Sequence, residues 1–220
     1  MDAVWILWLL VPAAYLSGSI PFGLIVGKAK GIDPRKAGSG NIGATNVGRL
    51  LGGKYFALVF VLDLLKGAVP TFAAGAVIGF RVNDWRICLL WMTIAGVAVI
   101  GHVFSIFLKF KGGKGVATSA GVVLGVFPYF TYAAVAALLV FYIVFRVTRY
   151  MSVGSMVGAS SFPVAYVLIG MGWRWPILGS LLPMLFFAVF FPLLLIFKHR
   201  TNIARLRAGT EPRYVSRATC

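Results

Sequence analysis

Acidic residues are the scarcest feature of this chain: five Asp and Glu stand against 21 Lys and Arg, for a net charge of +16 over 220 residues. Charge of either sign is sparse, at 12% of the sequence, where a soluble domain carries about 25%. So little charge cannot cover a water-soluble globule. Cysteine is nearly missing. Cys88 lies in an apolar run and Cys220 comes last, which excludes a disulfide framework and any cysteine-based metal spacing. A basic leader region is lacking as well. The chain starts with Asp2 and is apolar from Ala3 to about Val26, the pattern of a retained span rather than a cleaved signal peptide.

What is abundant is apolar. Hydrophobic residues make up 60% of the chain and the mean hydropathy is +0.92, so lipid must solvate much of the exterior. A helical span takes about 20 mostly apolar residues. Candidate spans are 3–27, 55–80, 86–108, 116–145, 152–172 and 176–197. The stretch 116–145 is long for one helix and contains Pro128. Read as one span, it leaves Arg146, Arg149 and the basic tail on the outer face. Read as two short helices hinged at Phe127-Pro128-Tyr129, it gives seven spans, with the N-terminus outside and the C-terminus cytoplasmic. Of the 21 basic residues, only Arg81, Arg86 and Arg174 then lie outside and Lys66 within the membrane. The other 17, from Lys28 to Arg217, face the cytoplasm. Cytoplasmic loops carry the Lys and Arg excess, so the hinged reading is preferred. The expected fold is an all-α polytopic membrane helix bundle, residues 1–220 forming a single domain without internal repeats. Gly121-x-x-x-Gly125 and Gly154-x-x-x-Gly158 are read as helix-packing positions.

The basic residues are spread between spans, which argues against nucleic acid as a partner and suits anionic headgroups or phosphorylated substrates. Two loops are built for anions. Residues 38–49, Gly-Ser-Gly-Asn-Ile-Gly-Ala-Thr-Asn-Val-Gly-Arg, spell G-x-G-x-x-G, but the strand a dinucleotide fold requires is missing beside a span. The glycines still free backbone N–H groups to face an anion. Ser39, Asn41, Thr45 and Asn46 add neutral hydrogen-bonding groups, and Arg49 a planar fork. The second loop, Lys109-Phe-Lys-Gly-Gly-Lys-Gly-Val-Ala-Thr118, opens a helix. Gly112, Gly113 and Gly115 surround Lys114, so amides and an ammonium can converge on one phosphate. Leu108 stands where a Walker A loop needs glycine, and Gly115 where it needs Ser or Thr, which disfavours ATPase chemistry.

Asp63 and Lys66 lie three apart within a span and share a helix face. Ionised groups at such depth are costly and usually functional, and a structural ion pair near the cytoplasmic end of the span is the equal alternative. Ser152 follows Arg149 at a helix start, where a cap is the plain reading. After His102 the acyltransferase pattern H-x-x-x-x-D finds Phe107, and after His199 it finds Ala204, so that class is excluded. A basic tail follows the last span and contains His199, Asn202 and Glu211.

These segments resemble the bacterial acyl-phosphate:glycerol-3-phosphate acyltransferase family over essentially the whole chain. The motifs are Ser17-Gly-Ser-Ile-Pro-Phe-Gly23, the loop 38–49, Asp63-Leu-Leu-Lys-Gly67, Gly101-His102, Lys111-Gly-Gly-Lys-Gly-Val-Ala-Thr118 and His199-Arg-Thr-Asn-Ile-x-Arg-Leu-x-x-Gly-Thr-Glu211. The resemblance implies a seven-helix enzyme of the bacterial inner membrane with its site facing the cytoplasm. Its substrates would be acyl-phosphate and glycerol 3-phosphate, with no cofactor or metal. It implies that Ser39, Arg49, Lys114, Ser152, His199 and Asn202 line a polar pocket, and that Asn41, Thr45 and Asn46 shape the first loop. It sets Gly112 and Gly113 against the acyl-phosphate and makes Glu211 an anchor of the tail. Lys114, Ser39 and Arg49 are the expected catalytic groups. Lys66 and Gly115 join the binding set, with Asp63 and His102 in support. The sequence names no protein partner. The rival is a transporter of a phosphorylated solute, for which inverted repeats are expected and none are found.

Overall fold

The computed structural model describes residues 4–214, so Asp2, Arg217 and Cys220 lie outside the described residues. These residues form helices and no strand. The first span is α1 (Val4–Ser19) and α2 (Phe22–Ala29), broken at Ile20-Pro21. Pro21 lacks an N–H and disfavours helical geometry at Ile20. Next come α3 (Ala44–Leu51), α4 (Gly53–Val77), α5 (Trp85–Val103), a 3₁₀ turn (Ile106–Leu108), α6 (Val116–Gly125) and α7 (Thr131–Thr148). The chain ends with α8 (Met151–Gly172), α9 (Leu182–Lys198) and α10 (Arg200–Arg207).

Five segments are long and apolar enough to cross a bilayer: Val4–Ala29, Gly53–Val77, Trp85–Leu108, Thr131–Thr148 and Met151–Gly172. α9 makes a sixth when taken with α10, which bends away from it by 54°. The remaining apolar helix, α6, has ten residues. It reaches about 15 Å, half of a hydrocarbon core of about 30 Å. The expected hinge is present, since α6 stops at Gly125 and α7 starts at Thr131. The short helix survives because α4 and α5 cover it, and broken helices are tolerated where protein rather than lipid surrounds them. Gly121 makes that cover possible: a Cβ there would stand 1.9 Å from the Leu64 carbonyl oxygen of α4. The second small-residue pair, Gly154 and Gly158, packs α8 against Phe141 of α7.

α5 is the hub, with Trp91, Met92, Ile94, Ala95 and Ala98 fully buried. Outer helices present Trp8, Leu168, Phe186 and Leu193 at 60% exposure or more, an apolar exterior suited to lipid. At one end of the bundle the three connectors 78–84, 126–130 and 173–181 meet. The Val82 N–H donates to the Tyr129 hydroxyl at 3.3 Å, the Ser180 hydroxyl donates to the Val82 carbonyl, and Tyr129 packs edge-on against Trp175. At the other end lie the two glycine-rich loops, the α7–α8 turn and the tail. There Arg49 donates to the Pro212 carbonyl at 3.0 Å, and the Tyr214 N–H donates to the Arg149 carbonyl at 2.8 Å. Residues 114 and 149 thus share one end while residue 129 sits at the opposite one.

Candidate active site

The first loop is organised by one side chain. Asn46, buried in the first turn of α3, donates to the carbonyls of Pro34, Ala37 and Asn41 at 2.8–3.1 Å, and its Oδ1 accepts from the Ser39 N–H at 2.9 Å. Asn41 Oδ1 in turn accepts the Gly43 N–H at 2.8 Å. The loop folds back on the start of α3 because these two amides satisfy backbone groups that have no ladder of their own.

The second loop meets the tail. Lys114 Nζ donates to Asn202 Oδ1. Asn202 Nδ2 donates to Glu211 Oε1 at 2.6 Å, Ser152 Oγ donates to the same oxygen at 2.8 Å, and Arg205 Nε donates to Oε2 at 2.8 Å. A single buried carboxylate therefore ties together α8, α10 and, through Asn202, the lysine. Burial alone would raise the Glu211 carboxyl. Its donors Asn202, Arg205 and Ser152 outweigh that and hold it below the usual carboxylate range. Burial pushes the Lys114 ammonium down to about 8, Arg205 and Arg49 repelling it and Glu211 working the other way. His199 Nδ1 lies 2.8 Å from the Leu195 carbonyl. A carbonyl can only accept, so Nδ1 carries the proton and Nε2 is the acceptor the imidazole has left.

These groups surround one cavity. Ser39, Asn41, Thr45, Asn46, Arg49, Lys114, Gly115, Ser152, His199, Asn202 and Glu211 all line it, as do Asp63 and His102. α3 and α6 both begin at its wall, through Ala44 and Thr45 on one side and Val116 and Ala117 on the other. First-turn amides of a helix lack intrahelical partners and carry the positive end of the dipole. Arg49 Nε is buried without a partner among the described residues. Two helix starts, an ammonium and a guanidinium thus face one space, an arrangement made for phosphate.

Three expected binding residues sit elsewhere. Lys66 does not reach the cavity: its ammonium pairs with Asp63 at 2.7 Å and donates at 2.7 Å to the Ile20 carbonyl, an acceptor at the α1–α2 break that it shares with the Phe22 N–H. Gly112 and Gly113 lie behind the cavity wall, their N–H groups donating to the carbonyls of Val103 and His102. Ser152 is no helix cap, since its hydroxyl goes to Glu211. Sequence reasoning missed Arg205 and the apolar wall of Phe56, Phe60, Phe141 and Met151. The Arg205–Glu211 pair matches no helical spacing, because the chain turns back at Gly209 in a left-handed conformation, φ +69°. Among the described residues, no group of three His, Cys, Asp or Glu side chains could hold a metal.

An apolar groove between α6, α7, α8 and α9 adjoins the polar cavity. Val122, Val123, Ala137, Leu138, Phe162 and Leu195 line it, and it shares Val116, Phe141 and Ser155 with the cavity. Residues 8–209 match the family model described as glycerol-3-phosphate acyltransferase. The chain belongs to that family. Two similar members are the glycerol-3-phosphate acyltransferases of Aquifex aeolicus, 43% identical over 93% of this chain and 97% of that one, and of Geotalea daltonii, 41% identical over 92% and 94%. The acyltransferase also superposes on crystal structures of PlsY (YgiH), an integral membrane glycerol 3-phosphate acyltransferase. For its glycerol 3-phosphate form the TM-score is 0.81 at 40% identity, covering 95% of this chain and 96% of that one. For its lysophosphatidic acid form the TM-score is 0.79 at 40% identity, covering 96% of each.

Proposed function

We propose that this acyltransferase moves a fatty acyl group from acyl-phosphate to the 1-hydroxyl of glycerol 3-phosphate. The products are lysophosphatidate and inorganic phosphate, and the step belongs to phospholipid synthesis. The observation that carries the reading is the continuity of a phosphate-binding cavity with an apolar groove, meeting at Val116, Phe141 and Ser155. Both substrates bear phosphate and one bears a hydrocarbon chain, so the two compartments fit them.

The glycerol hydroxyl attacks the acyl carbon, an ester C–O bond forms, and the bond from acyl carbon to phosphate oxygen breaks. The hydroxyl proton passes to a phosphate oxygen of a bound substrate. Lys114, with the amides at the start of α6, takes the charge that collects on the departing phosphate. Arg49, Ser39 and the start of α3 hold the second phosphate. His199 Nε2 accepts from a glycerol hydroxyl and orients it. Phosphate is a competent leaving group, so positioning and charge stabilisation supply the rate.

The protein acts as one catalytic unit in the bacterial inner membrane, seven passages with the N-terminus outside and the loop end in the cytoplasm. The concentration of Lys and Arg at the loop end supports that orientation. The test is incubation of purified protein in detergent with palmitoyl-phosphate and glycerol 3-phosphate. Lysophosphatidate and phosphate should appear in equal amounts; phosphate release that does not depend on glycerol 3-phosphate would defeat the reading.

A further inference from the structure

His102 and Asp63 are buried, line the cavity and have no role in the steps above. His102 Nδ1 and Asp63 Oδ1 face each other at 3.8 Å, and His102 Nδ1 has no hydrogen-bond partner among the described residues. Lys66 pairs with the same Asp63 oxygen at 2.7 Å and so fixes the carboxylate that faces the ring. The opposite edge of the ring lies under the second glycine-rich loop: a Cβ on Gly113 would stand 2.2 Å from His102 Nε2. The His102 and Val103 carbonyls, at the end of α5, accept the Gly113 and Gly112 N–H groups at 3.0 and 3.1 Å. The backbone just before Lys114 therefore rests on the imidazole and is fastened to the helix that carries it. Asn202 holds the other end of the lysine.

We propose that His102, its ring set by Asp63, is a positioning residue that fixes the base of Lys114 and so aims its ammonium at substrate phosphate. This rests on the reading of Lys114 as a phosphate ligand. Ring, loop and lysine act in series, so His102 influences phosphate only through Lys114. A misplacement of about 1 Å can cost roughly 100-fold in rate. Asp63 keeps the ring upright. Without that carboxylate the charge left on that side of the ring is the Lys66 ammonium, which repels an Nδ1 proton, and the loop above it loses a fixed floor.

The test is a double-mutant cycle of His102→Ala and Lys114→Ala. One arm reads affinity for inorganic phosphate by calorimetry, and the other reads turnover of palmitoyl-phosphate with glycerol 3-phosphate. His102→Ala should weaken phosphate binding and lower kcat about tenfold or more, inside the misplacement range, while KM for glycerol 3-phosphate stays within about twofold. In the Lys114→Ala background it should change neither quantity further, the signature of coupled sites. Equal losses in both backgrounds, or losses that track the folded fraction, would overturn the proposal, as would full activity of His102→Ala. Should the alanine variant not fold, His102→Asn, which keeps a donor near Asp63 and lacks the edge under Gly113, carries the same cycle. A wild-type protein that ignores palmitoyl-phosphate while the phosphate arm shows coupling rejects the donor reading and leaves the positioning role standing.

Discussion

At the scale of single residues, Lys114 carries the sharpest expectations. A fixed cation beside a leaving phosphate stabilises the transition state more than the ground state, and losing one such donor costs on the order of 100- to 1000-fold in rate. Lys114→Ala should fold and be nearly inactive in steady-state phosphate release, whereas Lys109→Ala, outside the cavity, keeps most activity. A retained rate above about a tenth of wild type, well short of that loss, would remove the assignment. Titration gives a second handle. With its ammonium near 8, Lys114 is charged below that pH and neutral above it, so kcat/KM should fall as pH rises through 8. The residual activity of Lys114→Arg should lack that limb. The same shift bears on stability. The folded value lies below the ordinary lysine value of 10.5, so the empty site carries a penalty at pH 7 that fades as pH rises from 8 toward 10.5. Thermal unfolding of Lys114→Ala at pH 7 should therefore show no loss. Lys114 itself could be read from its three flanking glycines. Its tether could not, because Asn202 and Glu211 lie about 90 residues away in sequence and meet it only through the fold.

At the scale of elements, the loop 38–49 hangs on Asn46. Asn46→Ala deletes four hydrogen bonds and strands carbonyls at Pro34, Ala37 and Asn41. Typical losses for such groups point to a destabilisation of about 2–4 kcal/mol, visible as a lower Tm together with lost activity. An unchanged Tm would mean the loop is held by something else. The hinge around Pro128 is legible because a proline inside a long apolar run leaves a strong local mark, whereas α9 starts at Leu182, six residues into the apolar run 176–197. The Ile20-Pro21 break is not legible in the sequence, since the run on either side of Pro21 is apolar and invites one helix. Lys66 was misplaced for a related reason. Spacing puts Asp63 and Lys66 on one helix face, but only the broken turn of α1 supplies the carbonyl that draws the lysine away from the cavity.

At the scale of the whole molecule, sidedness and donor choice are the open quantities with clean readouts. In a background lacking Cys88 and Cys220, a cysteine at position 148 should resist membrane-impermeant thiol reagents applied to whole cells and label once they are permeabilised. Strong labelling from outside would sink the orientation. On the acyl-phosphate reading, rates with palmitoyl-CoA as sole donor should be negligible beside those with palmitoyl-phosphate. Comparable rates would reject the acyl-phosphate assignment. The bundle and its cation-rich end followed from composition and span length. The apolar wall of the site did not, because Phe56, Phe60 and Phe141 look like any lipid-facing aromatic until the fold turns them inward.

The cavity draws its walls from residue 39 to residue 211. A ribosome adding about 5–20 residues per second therefore delivers Glu211 on the order of ten to thirty seconds after Arg49. Lys114 follows Arg49 by 65 residues, and for the next 88 residues it has no Asn202 to hold it. A chain halted before Asn202 has no tether for its lysine, and the cavity gains its last wall only when the tail docks.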